Sequence, residues 1–114
     1  MILNVDRVDH IYIVCGFTDG RKNIDSLARL VSDYYRKDPF SNNLFVFCSR
    51  QRNILKALHW DENGFELYTK KVMEDKFKWP NDESELKNIT QKQLYLLLQG
   101  FTIEGFKNIE KKIF

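Results

Sequence analysis

The sequence predicts an α+β fold: a mainly antiparallel β-meander with an N-terminal strand-helix unit and a C-terminal helix. Three observations carry this. The apolar run His10-Ile11-Tyr12-Ile13-Val14-Cys15 is followed by apolar residues at helical spacing. From Leu44 the period changes to that of strands, and the links between runs are so short that only antiparallel neighbours fit. Thr90 then opens a second stretch of helical spacing. With 114 residues, 43% of them apolar, the chain can fill one hydrophobic core, so residues 1–114 are expected to form a single domain.

Taken in order, His10 to Cys15 reads as a short buried strand closed by Gly16. Phe17 to Lys22 is a turn containing Asp19-Gly20. Ile24, Leu27, Ala28, Val31, Tyr34 and Tyr35 then share one helical face. Asn23 is the expected N-cap, with Thr18 or Asp19 the alternatives for an earlier start, and Asp25 suits the helix dipole. Arg36 and Lys37 fall in the last turn, and Pro39 forbids continuation. Strands are expected at Leu44–Cys48, Ile54–Trp60, Phe65–Val72 and Lys76–Trp79. Among their connections, Asn63-Gly64 is the strongest turn signal, because glycine tolerates positive φ. Pro80 ends the fourth of these strands, and Asn81–Asn88 reads as a polar, net acidic surface linker. Thr90 with Gln93 forms a capping-box pattern for a helix whose stripe is Leu94, Leu97, Leu98 and Phe101, closed by Gly100. The Lys-rich tail Lys107–Phe114 reads as a frayed or oligomer-binding helix.

Composition excludes some classes. No apolar run approaches the about 20 residues of a membrane helix. Met1-Ile2-Leu3-Asn4-Val5-Asp6 lacks a basic segment and places an acid early, which argues against a signal peptide. The expected location is the cytoplasm, where Cys15 and Cys48 serve as reduced, buried small hydrophobes. The net charge is only +2, yet Ser49 to Lys56 holds Arg50, Arg52 and Lys56 with no acid. A concentrated cationic edge on a near-neutral domain marks a site for an anionic partner.

That edge is the first candidate site. Arg50, Arg52 and Lys56, with Lys70, Lys71, Lys76 and Lys78 on the following strands, could share one face and neutralise phosphates. The plainer alternative is that these lysines keep sheet edges soluble. Arg21 and Lys22, in the glycine-containing turn before the first helix, form a second candidate for anions. Its alternative is a capping turn with an Asp19–Arg21 or Arg21–Asp25 ion pair. Glu74-Asp75-Lys76 with Asp61 resembles a metal-dependent nuclease set only loosely, since two of its carboxylates fall in an expected turn. His10, Cys15, Cys48 and His59 lack zinc-ligand spacing. No cofactor fingerprint is present, and catalytic, cofactor and metal residues are all expected to be absent. The aromatics Phe45, Phe47, Trp60, Phe65, Tyr68, Phe77 and Trp79 are chiefly core, although aromatics on sheets can also stack bases.

Motifs along the chain carry a resemblance. Val14-Cys15-Gly16-Phe17-Thr18-Asp19-Gly20-Arg21-Lys22, then Ile24-Asp25 and Leu27, resembles the N-terminal signature of a transposase-accessory family. The family is the TnpB-type product of the second open reading frame of insertion-sequence family sixty-six, distinct from the RNA-guided nucleases that share the label. Asp38-Pro39-Phe40-Ser41, Leu44-Phe45-Val46-Phe47, Arg50, Arg52, Lys56, Trp60-Asp61, Gly64-Phe65, Tyr68, Lys70, Phe77 and Trp79-Pro80 are similar to its central block. Thr90, Gln93-Leu94, Leu97-Leu98 and Gly100 resemble its closing helix, so the likeness runs from about Leu3 to Glu104. Gly20 stands where the family has a bulkier apolar residue, and Asn23 and Ser49 where glycine is common, which bears on local turn geometry. The resemblance implies a part in transposition of a bacterial insertion sequence beside a separately encoded transposase. A non-enzymatic accessory protein that binds DNA, including element ends, is the leading expectation. An adaptor for the transposase or another element-encoded protein is the alternative, and a nuclease ranks below both. Self-association is left open, and no membrane partner is expected.

Overall fold

The computed structural model describes residues 4–81 and 85–103, so the tail Lys107–Phe114 lies outside the described residues. Among them, a five-stranded sheet has the order β4-β3-β2-β1-β5. A single 3-10 turn at Val5–Arg7, capped by Asn4, leads into β1, His10–Val14. Next come α1, Ile24–Arg29, and β2, Asn43–Cys48, which lies parallel to β1 with Ile11 opposite Leu44 and Ile13 opposite Val46. Hairpins then place β3, Ile54–Asp61, against β2 and β4, Gly64–Lys71, against β3. Finally β5, Leu86–Ile89, runs antiparallel to β1 and is followed by α2, Gln91–Leu98. The α+β class and the C-terminal helix follow the expectation. The parallel β1–β2 pair, joined through α1, makes the sheet mixed.

Both faces of the sheet are covered. Val14, Phe45, Phe47 and Leu58 pack with Leu27, Ala28 and Val31 of the first helical region. On the other face, Ile11, Ile13, Leu44, Val46 and Leu55 meet Leu94 and Leu97 of α2 together with Phe77, Trp79 and Ile103. Burial on both sides explains why β2 reads as an unbroken apolar run rather than an alternation. Both helices begin with reciprocal capping boxes, Asn23 with Ser26 and Thr90 with Gln93.

Several expectations are corrected. Lys76–Trp79 is not a strand. Its alternation is genuine, since Phe77 and Trp79 are buried while Lys76 and Lys78 are exposed, but the segment packs over a face instead of extending the ladder. Trp79 Nε1 donates to the Val14 carbonyl at 2.8 Å, and the Phe77 amide donates to the Arg52 carbonyl at 2.8 Å. The strand that completes the sheet lies instead in the expected linker, where Leu86–Ile89 pairs with β1. Four residues with a polar centre, Lys87-Asn88, are too few to show a strand period.

The first helix also departs from a regular α-helix. After Arg29 it widens into a π-helical segment, Leu30–Tyr34, in which the Tyr35 amide donates to the Leu30 carbonyl at 3.2 Å. Tyr34 consequently leaves the apolar face and is 55% exposed. Phe101, expected on the second helix's stripe, is likewise exposed beyond Gly100, whose φ of +93° ends that helix. In the β3–β4 turn the positive φ falls on Glu62, and Gly64 is already the first residue of β4.

Candidate nucleic-acid interface

Topology decides which cations meet. Parallel β1 and β2 end at the same edge, where residues 15–22 and 49–53 emerge side by side. The Thr18 amide donates to the Cys48 carbonyl at 2.8 Å, fastening one loop to the other. β3 starts and β4 finishes at that same end, because Ile54 pairs with Lys71 and Leu55 with Lys70. Arg21, Lys22, Arg50, Arg52, Lys56, Lys70 and Lys71, drawn from separate segments, are thereby gathered at one end of the sheet. They do not share a face. Register places Lys56 and Lys71 on the α1 side and Lys70 on the α2 side.

These cations differ in availability. Arg50, Arg52 and Lys71 are exposed, and their side chains make no hydrogen bond or ion pair among the described residues. Lys56 is half-buried, its Nζ donating to the Lys22 carbonyl at 2.8 Å, so it ties β3 to the loop before α1. Lys70 Nζ lies 3.4 Å from the Leu98 carbonyl. Lys76 Nζ donates to the Gln51 carbonyl at 2.8 Å, bringing the segment after β4 to the same end. An ammonium has three donors, so lysines held this way keep their charge and spare N–H groups.

Arg21 follows the plainer alternative. Its Nε and one terminal nitrogen donate to the Asp19 carboxylate at 3.1 and 2.9 Å. Hydrogen bonds from the Arg21 side chain, then from its backbone amide, hold the Asp19 carboxyl at about 2, well below the usual carboxylate range. The pair closes the turn and gives Arg21 a carboxylate partner.

The Arg50–Arg52 turn is built by Ser49. Its hydroxyl accepts from the Ile54 amide at 3.1 Å and donates to Asn53 Oδ1 at 3.2 Å, while its carbonyl accepts from the Arg52 amide at 2.9 Å. Arg52 sits at φ +61°, in the left-handed region, which bends the chain sharply between the two guanidinium-bearing residues. Gly20 faces this turn: a Cβ there would lie 3.3 Å from Ser49 Cβ and 3.5 Å from Ile54 Cδ1. A larger side chain at 20 would therefore press on Ser49, so two of the three positions noted above as departures face one another.

Two concavities border Arg50. One, of about 520 Å³, lies between the two loops and includes Gly20, Arg21 and Asn53. The other, of about 460 Å³, lies beside the helix and includes Lys22, Tyr34 and Tyr35. Tyr34 was missed as a site residue because helical spacing assigns it to the core, and the π turn has no signal in the sequence.

The acidic and metal candidates do not assemble. Asp61 ends β3 opposite Gly64, whereas Glu74-Asp75-Lys76 follow the far end of β4. Seven strand steps put them roughly 23 Å apart. Among the described residues no group of three His, Cys, Asp or Glu converges as a metal site. Cys15 and Cys48 are both buried free thiols, and burial pushes Cys48 up to about 12. His59 is buried between Glu66 Oε1 at 3.1 Å and Asn42 Oδ1 at 2.9 Å, with Tyr68 donating to the other Glu66 oxygen at 3.1 Å. That network, absent from the sequence reading as a unit, fixes the opposite end of the sheet. No helix among the described residues is long and apolar enough to cross a membrane.

Comparison with known proteins agrees with the resemblance. Residues 9–108 match the family described as "IS66 Orf2 like protein". The chain is similar to the uncharacterized protein y4hO of Sinorhizobium fredii, 37% identical over 90 residues covering 79% of this chain and 78% of that one. It is also similar to the uncharacterized protein y4jC of the same organism, 28% identical over 82 residues, 72% of this chain and 70% of that one. No solved structure matches the chain. The match spans both loops of the basic end and both helices, and the chain belongs to the IS66 Orf2-like family, whose members are accessory proteins of insertion-sequence transposition.

Proposed function

We propose that the protein serves transposition without catalysing a step, by binding DNA through the basic end of its sheet. The observation that supports this is the convergence at one end of the sheet of Arg50, Arg52 and Lys71, unpaired among the described residues, with Lys22, Lys56 and Lys70. Side chains of this kind contact phosphates without requiring one fixed geometry. An anionic rod lying across that end would meet cations from two strands and two loops at once. Arg21 contributes less than its sequence position suggests, because Asp19 holds it.

A second reading, an adaptor for another protein, is favoured by one separate feature. At the opposite end Phe40, 57% exposed, stands edge-on to Trp60 at 5.0 Å and beside Phe65 at 5.5 Å. Exposed aromatic clusters of this type mark protein contacts. Binding of the purified protein to duplexes bearing the element's terminal inverted repeats, and to scrambled duplexes, across a salt series separates the readings. Salt-sensitive binding supports the DNA reading, and preference for the repeats makes the protein an end-recognition factor. Absence of binding at moderate salt overturns it in favour of the adaptor.

A further inference from the structure

We propose that β4 is the docking edge for a second copy of this chain, the two β4 strands pairing antiparallel about a two-fold axis at Tyr68 and joining two five-stranded sheets into one. Pairing at this edge does not depend on what the basic end binds. β4 closes one side of the sheet, and its eight residues match β3 one for one, with no bulge and no proline to interrupt the outer edge. The strand at the other side, β5, has only four residues. An open edge as long as β4 is a template for another strand.

The hairpin's register fixes which backbone groups face outward. The Val72 amide donates to the Asn53 carbonyl at 2.9 Å, in step with the pairs Leu55–Lys70, Ala57–Tyr68, His59–Glu66 and Asp61–Gly64. Bonded and non-bonded pairs alternate along an antiparallel ladder, so these residues of β4 direct their amides and carbonyls to β3. Phe65, Leu67, Thr69 and Lys71 direct theirs away from it, and among the described residues no hydrogen bond reaches those groups.

Charge complementarity selects both the occupant and the register. An axis at Tyr68 sets Leu67 against Thr69 of the second copy, and Phe65 against its Lys71, as hydrogen-bonded pairs. Glu66 then stands opposite Lys70 of the second copy, twice by symmetry, at non-bonded positions where side chains come closest. An axis at residue 66 opposes two glutamates and one at residue 70 opposes two lysines, while an axis at 67 or 69 leaves Glu66 and Lys70 with no charge opposite. Both charges are held in place. His59 Nδ1 lies 3.1 Å from one Glu66 oxygen, the Tyr68 hydroxyl donates to the other at 3.1 Å, and Lys70 Nζ lies 3.4 Å from the Leu98 carbonyl. The carboxylate keeps further lone pairs and the ammonium further donors for each other. Arg50 and Arg52 lie outside the pairing, and because the two β4 strands run antiparallel, the two basic ends point in opposite directions.

Sedimentation equilibrium of the full chain over about 1–500 µM reads the association, since an interface of one strand pair falls in the weak class. The mass is expected to rise from 13.7 kDa toward twice that value. Thr69→Pro removes an outward amide and leaves the bonds to β3 in place, and Lys70→Glu sets like charges opposite each other twice. Each is expected to weaken dimerisation by about tenfold or more, with a thermal melt showing the fold retained. Glu66→Lys weakens it likewise, and an equimolar mixture of Lys70→Glu with Glu66→Lys regains the parent's affinity, because every pair across the interface is again opposite in sign. A chain that stays at 13.7 kDa throughout, a dimer indifferent to Thr69→Pro or Lys70→Glu, or a mixture of folded charge variants that associates no better than its components, overturns the inference. Where Glu66→Lys loses the His59 contact and fails to fold, Thr69→Pro and Lys70→Glu decide.

Discussion

Removing Arg50 and Arg52 together tests the proposed interface most directly, because the structure lets charge be deleted with little else. Both side chains are exposed and without hydrogen-bond partners, while the turn is held by Ser49 and by the Arg52 backbone. Alanine keeps the Cβ that arginine already places at φ +61°, so the substitution adds no new backbone strain. Surface changes of this kind shift stability by less than about 0.5 kcal/mol. The effect on DNA is larger and has a defined form. Each phosphate contact releases counterions and steepens the dependence of log affinity on log salt by about 0.9, so two lost contacts flatten it by about 1.8. Over a fourfold rise in salt, from about 50 to 200 mM, the deficit of the variant shrinks by about twelvefold. Fluorescence anisotropy on a short duplex across that range gives the slope, and a thermal melt checks the fold. A variant with the parent's slope, or a deficit that is constant at every salt concentration, refutes the assignment of these arginines to phosphates.

Three further outcomes follow from the geometry. Trp79→Phe removes the indole donor to Val14 and leaves a buried carbonyl short of a partner, at a cost of about 1–3 kcal/mol measurable by urea denaturation. Gly20→Ala presses on Ser49 Cβ and destabilises the parent, whereas in a Ser49→Gly background the same change is better tolerated, with a coupling of about 0.5–1 kcal/mol in a double-mutant cycle. Asp19, held at about 2 by Arg21, contributes its ion pair in full above its ordinary value of 3.8 and loses it as pH falls through about 2. Carboxyl-detected NMR titration of Arg21→Ala moves the Asp19 midpoint up from about 2 toward 3.8, with the backbone amide of residue 21 still holding it below, and a midpoint unmoved by the substitution contradicts the pairing.

Local signals were the legible part of this chain. Asn23 and Thr90 each carry a side-chain acceptor three residues before a partner that answers it, and both capping boxes form. The apolar runs at residues 44 and 54 become β2 and β3 because their register is short-range, fixed by a turn of a few residues. The errors are long-range. Phe77 and Trp79 alternate as a strand would, but the nearest free ladder is not beside β4, and their bulk instead covers the face that α2 leaves open. Leu86–Ile89 pairs with a strand some seventy residues earlier, and nothing within four residues encodes that choice. The π turn before Tyr34 belongs to the same class, since widening a helix depends on what the following ring meets.

The candidate site shows the same division, with a consequence for its shape. Its residue types were legible because three cations without an acid stand out in a nearly neutral chain. Their arrangement was not, because a meander would have spread the lysines of successive strands over a face. Insertion of α1 between β1 and β2 makes those strands parallel and sends both of their following loops to one edge. The hairpins then return Lys70 and Lys71 to that same edge, one to each side of the sheet. With α1 and α2 already covering the two faces, the charge is left on the end of the sheet as a ridge broken by recesses. A ridge touches a duplex along a short arc and limits how many phosphates it can neutralise.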